Sequence, residues 1–202
     1  MKNIFLALVF IGYYSQIQGQ NISQAMVYQG KLNRQFSNSK LSPLPKKEIW
    51  SFASLPFYAW DANFCVEATV DKTPNAPLFE MPTSTERKVL YQKYADLNFT
   101  LNGKKFKLSV YQNQQLKYRM ETRNQLFLPF KDLSNGRDTY AGGRYIDLDI
   151  LAIKNGKLLL DFNQSYNPYC AYNKNYSCPI PPIENHLETA IKAGIKKGVV
   201  RK

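Results

Sequence analysis

The sequence predicts a mainly β (α+β) protein: about seven antiparallel strands, built from hairpins into a barrel or sandwich, with one helix before them and one after. Three observations carry this expectation. Two Asn-Gly dipeptides, Asn102-Gly103 and Asn155-Gly156, sit between apolar runs, the mark of two-residue type I′ hairpins. Phe64, Val66, Ala68 and Val70 alternate with Cys65, Glu67 and Thr69, the period of a half-buried strand. Strands do not alternate with long helices, so a parallel βαβ architecture is not expected. The 14 Tyr, 12 Phe and 2 Trp agree, because rings pack well on a pleated surface.

Met1 to Asn3 form a short positive start, Ile4 to Tyr14 an apolar run, and Ser15 to Gln20 a polar stretch containing the small residue Gly19. This is the layout of a secretory signal peptide, with cleavage expected after Gly19 (segment 1–19). The apolar run is shorter than the roughly 20 residues a membrane helix needs. The remainder is therefore expected to be exported, periplasmic or secreted, with no membrane span. At 202 residues with 44% hydrophobic side chains, one globular domain is expected.

Residues 20–56 read as an N-terminal helical segment. Tyr28, Leu32 and Phe36 recur at helical spacing between Asn21 and Ser39, Ser42 to Pro45 breaks the helix, and Lys46 to Phe52 allows another short turn. Residues 57–202 read as a β-rich domain closed by a helix. Pro74, Pro77 and Pro82 mark an irregular crossing. At Asn102-Gly103 a type I′ turn sets Phe99 opposite Phe106 and Leu97 opposite Leu108, all on one face. Gln125 to Phe130 is a further strand, with Pro129 pointing to an edge or a bulge. At Asn155-Gly156 the same arithmetic pairs Ile153 with Leu158, Leu151 with Leu160 and Ala152 with Leu159. It also sets Asp161 opposite Ile150 and Asp147 opposite Gln164. After Pro179, Pro181 and Pro182, the stripe Ile183, Leu187, Ala190, Ile191 predicts a helix stopped by Gly194.

Net charge is +12. The lysines are scattered, and the one dense run (Lys192, Lys196, Lys197, Arg201, Lys202) reads as a solvated tail. With export, nucleic acid is not an expected partner. The three cysteines, Cys65, Cys170 and Cys178, allow at most one internal bridge, and the single histidine, His186, excludes a site built on two imidazoles.

Three strings stand out: T-Y-A-G-G-R-Y (Thr139 to Tyr145), L-D-F-N-Q-S-Y-N-P-Y-C-A-Y-N (Leu160 to Asn173) and S-C-P-I-P-P-I-E-N (Ser177 to Asn185). On these the chain resembles a bacterial family, domain of unknown function 1684, over most of its length after the signal. The resemblance implies no activity.

The same strings hold the candidate ligand-binding residues Arg144, Asp161, Asn163, Tyr166, Asn167, Asn173 and Asn185. An arginine grips a carboxylate or phosphate with two prongs, and asparagine amides orient it. Face parity predicts that Arg144 pairs with Asp161. The plainer reading is that Asp161 and the asparagines satisfy loop backbone, as Asx turns do. Cys170 and Cys178 are a disulfide candidate, worth about 2.5 kcal/mol as a short loop closure, or a reduced structural pair, or a metal site if joined by Asp161 or His186. No metal or cofactor is expected. The leading expectation is a non-enzymatic binding module for a small or anionic ligand. The alternatives are a periplasmic hydrolase using Asp147 or Asp161 and an envelope-surface or structural interaction protein.

Overall fold

The computed structural model describes residue 22 and residues 24–202. The expected signal peptide and its cleavage point lie outside the described residues. Helix α1 (24–37) carries Leu32 and Phe36 on its inner face. It ends where the Asn38 side chain accepts the Lys40 and Leu41 backbone N–H groups at 2.9 and 3.2 Å, and a single further turn, α2 (Lys46–Ile49), follows the prolines. No helix among the described residues is long and apolar enough to cross a membrane.

The strands are β1 (Phe52–Ser54), β2 (Cys65–Lys72), β3 (Leu78–Met81), β4 (Val89–Leu101), β5 (Lys104–Asn113), β6 (Gln125–Phe130), β7 (Arg144–Asp149), β8 (Lys157–Asp161) and β9 (Val200–Arg201). Seven form one antiparallel sheet in the order β7-β6-β5-β4-β2-β8, with β3 also on β4. Strand β4 is long enough for two partners on one edge: β3 covers Val89 to Gln92, and β2 covers Ala95 to Asn98 past an irregularity at Lys93/Ala95. The sheet curls into a half-barrel. Its two edges meet just past β8, where Tyr145 and Tyr166 exchange both backbone hydrogen bonds at 2.9 Å. Inside lies the main core, including Phe99, Leu108, Leu128, Ile146 and Leu160. A two-stranded sheet, β1 with β9, covers a second cluster of Phe36, Leu44, Phe52, Leu55 and Ile195.

The first hairpin forms as its sequence requires. Asn102 and Gly103 take φ of +50° and +76°, and Phe99 faces Phe106 with stacked rings 5.9 Å apart.

The second differs. Asn155 and Gly156 make the turn, with φ of +51° and +71°, but only Lys154 and Lys157 pair across it. Upstream, Asp149 accepts the Leu151 N–H at 2.8 Å and caps a 3-10 turn over Ile150–Ala152, which bends the chain away. Strand β8 runs along β2 instead, with Asp161 opposite Cys65, while β7 lies on β6. Asp161 therefore does not face Ile150, nor Asp147 Gln164.

The expected C-terminal helix is absent. A 3-10 turn spans Ile183–Asn185, and residues 186–199 are irregular. Leu187 and Ile191 are still buried, as the stripe requires. The backbone groups around them are taken by other parts of the chain, however: the Leu187 N–H by the Lys131 carbonyl, the Ile191 N–H by Asp132 Oδ1 at 3.1 Å, and the Asn185 and Thr189 carbonyls by the Lys131 and Leu133 N–H groups. A helix would need those same groups for itself.

Pro129 explains a gap in the sheet. Between β5 and β6 only Tyr111 and Phe127 pair, because Pro129 has no N–H to give. The Asn185 side chain fills that place. Its Oδ1 accepts the Ser109 N–H at 2.7 Å, and its Nδ2 donates to the Ser109 and Pro129 carbonyls at 2.8 and 2.6 Å.

Candidate functional site

Arg144 is fully buried. Its guanidinium donates to Asp132 Oδ2 at 2.8 Å and to the carbonyls of Ile191, Ala193 and Ile195 at 2.7, 2.6 and 3.2 Å, with Ser165 Oγ at 3.3 Å and the Phe130 ring beneath. Burial lowers its pKa, opposed by the Asp132 carboxylate. The expected Arg144–Asp161 pairing is therefore corrected to Arg144–Asp132. Phe130 faces Arg144 across β6 and β7, so Asp132, two residues beyond Phe130, reaches the same side. Asp132, just past β6, has the parity that meets Arg144, because β7 pairs with β6 and not with β8.

The knot closes tightly. At Gly194 (φ +70°) a Cβ would collide with Ser165 Oγ and stand 2.6 Å from the Phe162 carbonyl. At Gly143 (φ +95°) it would stand 2.7 Å from the Phe130 carbonyl.

Asp161 caps the turn Phe162–Gln164, accepting from the Asn163 N–H at 2.9 Å and from the Asn163 and Gln164 side-chain amides at 2.8 and 3.1 Å. Asn163 pairs with both backbone groups of Asp61, each at 3.0 Å. Asn167 donates to the Tyr172 hydroxyl and the Lys196 carbonyl at 3.1 and 2.9 Å, and Asn173 to the Pro43 carbonyl at 3.2 Å. With Asn185 inside the sheet, five of the seven candidates serve backbone or caps, and Arg144 is sealed in its knot.

Tyr166 is the exception. It lines a cavity of about 370 Å³ on the outer face of β6 and β7, roofed by α1 and by residues 166–179. Rings line this cavity as a contiguous run: Tyr91 stacks on Phe127 at 5.6 Å, Phe127 meets Tyr145 at 4.7 Å, Tyr145 meets Tyr166 at 5.7 Å, and Tyr166 meets Tyr28 at 6.5 Å. Among the described residues Asp147 is the one carboxylate on the wall and Lys31 the one amine. The Tyr166 hydroxyl donates to Asp147 Oδ1 at 3.0 Å. Asp147 is open to the cavity, yet protein surrounds it on most other sides. Desolvation pushes its pKa up, against the Tyr166 and Gln125 hydrogen bonds and the Lys31 charge. Burial likewise raises Tyr28, Tyr145 and Tyr166, so these phenols stay protonated.

Cys170 and Cys178 stand as adjacent free thiols, and Cys65 is free on β2. His186 Nε2 faces the Pro181 carbonyl at 3.3 Å, not a thiol. Among the described residues no group of three or more His, Cys, Asp or Glu is placed to hold a metal.

A family model described as protein of unknown function (DUF1684) matches residues 50–196. A solution NMR structure of an uncharacterized protein from Haloarcula marismortui is similar, at a TM-score of 0.66 and 32% identity, covering 93% of this chain and 96% of that one. No curated protein matches.

Proposed function

We propose, for a chain that belongs to the DUF1684 family of proteins of unknown function, a non-enzymatic role: it binds a small ligand in the tyrosine-lined cavity. The observation that carries this reading is Asp147, a partly desolvated carboxylate held by Tyr166 at the foot of an aromatic wall. A ligand with an apolar body and a donor or positive charge would gain ring contacts and relieve that desolvation. An anionic ligand finds less support, since Arg144 is sealed away and Asp147 would repel it. Hydrolysis by two carboxylates lacks its second group, because Asp161 caps a turn and does not line the cavity.

We place the protein outside the cytoplasm on the layout of Met1 to Gln20. The test is the intact mass of protein recovered from the cell envelope, which should begin at Gln20. Full-length chain in the cytoplasm would overturn the placement.

Benzylammonium and benzoate, alike in size and opposite in charge, test the cavity. In NMR titrations benzylammonium should shift signals around Tyr145, Asp147 and Tyr166, and Asp147→Asn should abolish the effect. Stronger binding of benzoate, or no shift with either, would sink the reading.

A further inference from the structure

Cys178 borders the aromatic cavity and Cys170 a second one, but the chemistry of the pair needs no ligand in the first. Cys170 sits on the 3-10 turn Tyr169–Ala171, and Cys178 on an extended segment tied to residues 82–84. The Ser84 N–H bonds the Cys178 carbonyl, and the Ile180 N–H bonds the Pro82 carbonyl, each at 2.8 Å. This brings Cys178 Sγ up to the Cys170 turn, where the Cys170 N–H points at it from 3.2 Å.

The two thiols are not equivalent. Cys178 is buried, whereas Cys170 is half-buried and faces a separate cavity of about 570 Å³ bordered by Ser84, Tyr140, Asn173 and Lys174. Hydroxyl groups gather on the Cys170 side: the Tyr140 hydroxyl lies 3.9 Å from its sulfur, and Ser84 borders the same cavity. The Cys178 thiol, with Ser84 and Tyr140, outweighs burial and holds Cys170 down to about 6. Cys178 moves the other way, raised by its interaction with the Cys170 side chain and by burial, with the Cys170 charge adding to both. Cys65 shows what burial does without donors: its thiol is pushed up to about 12, with the Asp161 carboxylate adding to the effect.

We propose that Cys170 and Cys178 form a thiol–disulfide exchange site for low-molecular-weight disulfides, entered from the Cys170 side. The Cys170 thiolate attacks one sulfur of a substrate R–S–S–R. The substrate S–S bond breaks, and one RS⁻ leaves and takes up a proton. Cys178 then loses its proton and attacks the Cys170 sulfur of the mixed disulfide, releasing the second thiol. The substrate gains two electrons and two protons, the pair becomes a disulfide, and a small dithiol reductant returns it to the starting state. The arrangement separates the two roles, an accessible nucleophile outside and a shielded resolving thiol behind it.

Titration of the native protein across mixtures of reduced and oxidised glutathione, with acid quench and peptide mapping, tests this. Both the linked and the free forms of the 170/178 pair should be populated within the series, with Cys65 free throughout. A pair that stays linked in every mixture is a structural bridge, a pair that stays free in every mixture is inert, and either result overturns the proposal. At pH 7 native Cys170 should alkylate with iodoacetamide about a hundredfold faster than Cys65. Equal rates would also overturn it. Cys178→Ala should accumulate one glutathione on Cys170, read as added mass on that peptide. Should that variant fail to fold, the wild-type titration and alkylation rates still decide.

Discussion

The Arg144 knot and the tyrosine cavity occupy opposite faces of β7, one residue apart in parity, and they treat charge in opposite ways. Arg144 points to the side that closes over it. It has an ion-pair partner and three carbonyls, and no surface is left for a ligand. Asp147 points to the side that stays open and presents its exposed carboxylate to the cavity, with a pKa raised by the protein packed around it. A buried charge whose partners all come from its own chain is structural, while one that keeps an open side is available for binding.

The largest expected effect comes from breaking the closed side. Arg144→Met should cost about 3–5 kcal/mol in urea unfolding, since it strands Asp132 and three carbonyls. Adding Asp132→Asn should cost much less than its own single-variant loss, because the two share one network. Additive losses would mean that the two residues act separately. Next comes Asn185→Leu, expected to cost about 1–3 kcal/mol by leaving the buried Ser109 N–H and the Pro129 carbonyl unpaired. A loss below that range would mean that water restores the rung.

The smallest effect belongs to the open side. The folded state raises the pKa of Asp147, so it favours the protonated form. That contribution is present below the ordinary carboxylate pKa and is lost as pH rises through the raised value. Asp147→Asn should remove this fall and gain stability at neutral pH relative to pH 3. Melting curves across that range with no difference between the two proteins would break the contrast.

The two Asn-Gly turns show how far the sequence could be read. At Asn102-Gly103 turn chemistry and seven paired positions, from Leu101–Lys104 back to Ala95–Val110, agree, so the register follows from local residues up to the irregularity at Lys93/Ala95. At Asn155-Gly156 the turn was legible, but its flanking strands were claimed elsewhere: β8 by β2, and residues 150–152 by the Asp149 cap. The site follows from the same displacement: with β7 on β6 and β8 on β2, Arg144 meets Asp132 and not Asp161. Tyr166 and Asp147 could be named as candidates, but not the cavity they line. Its rings come from α1, β4, β6, β7 and the 166–179 loop, and no periodicity links residues so far apart. The lost C-terminal helix has a similar cause: its apolar spacing was right, but residues 131–133 hold the backbone groups that it would need.

The carbonyls that Arg144 needs lie 47 to 51 residues further along the chain. Emerging N-terminus first, the chain therefore presents strand β7 well before the segment whose carbonyls take up the guanidinium. During that interval the guanidinium has Asp132 but not its backbone partners, and the half-formed barrel cannot close over it at low cost. Completion of the fold is thus timed by arrival of residues 191–195. A chain interrupted before them would stay open at this seam and accessible to chaperones and proteases, whatever its hairpins had already formed.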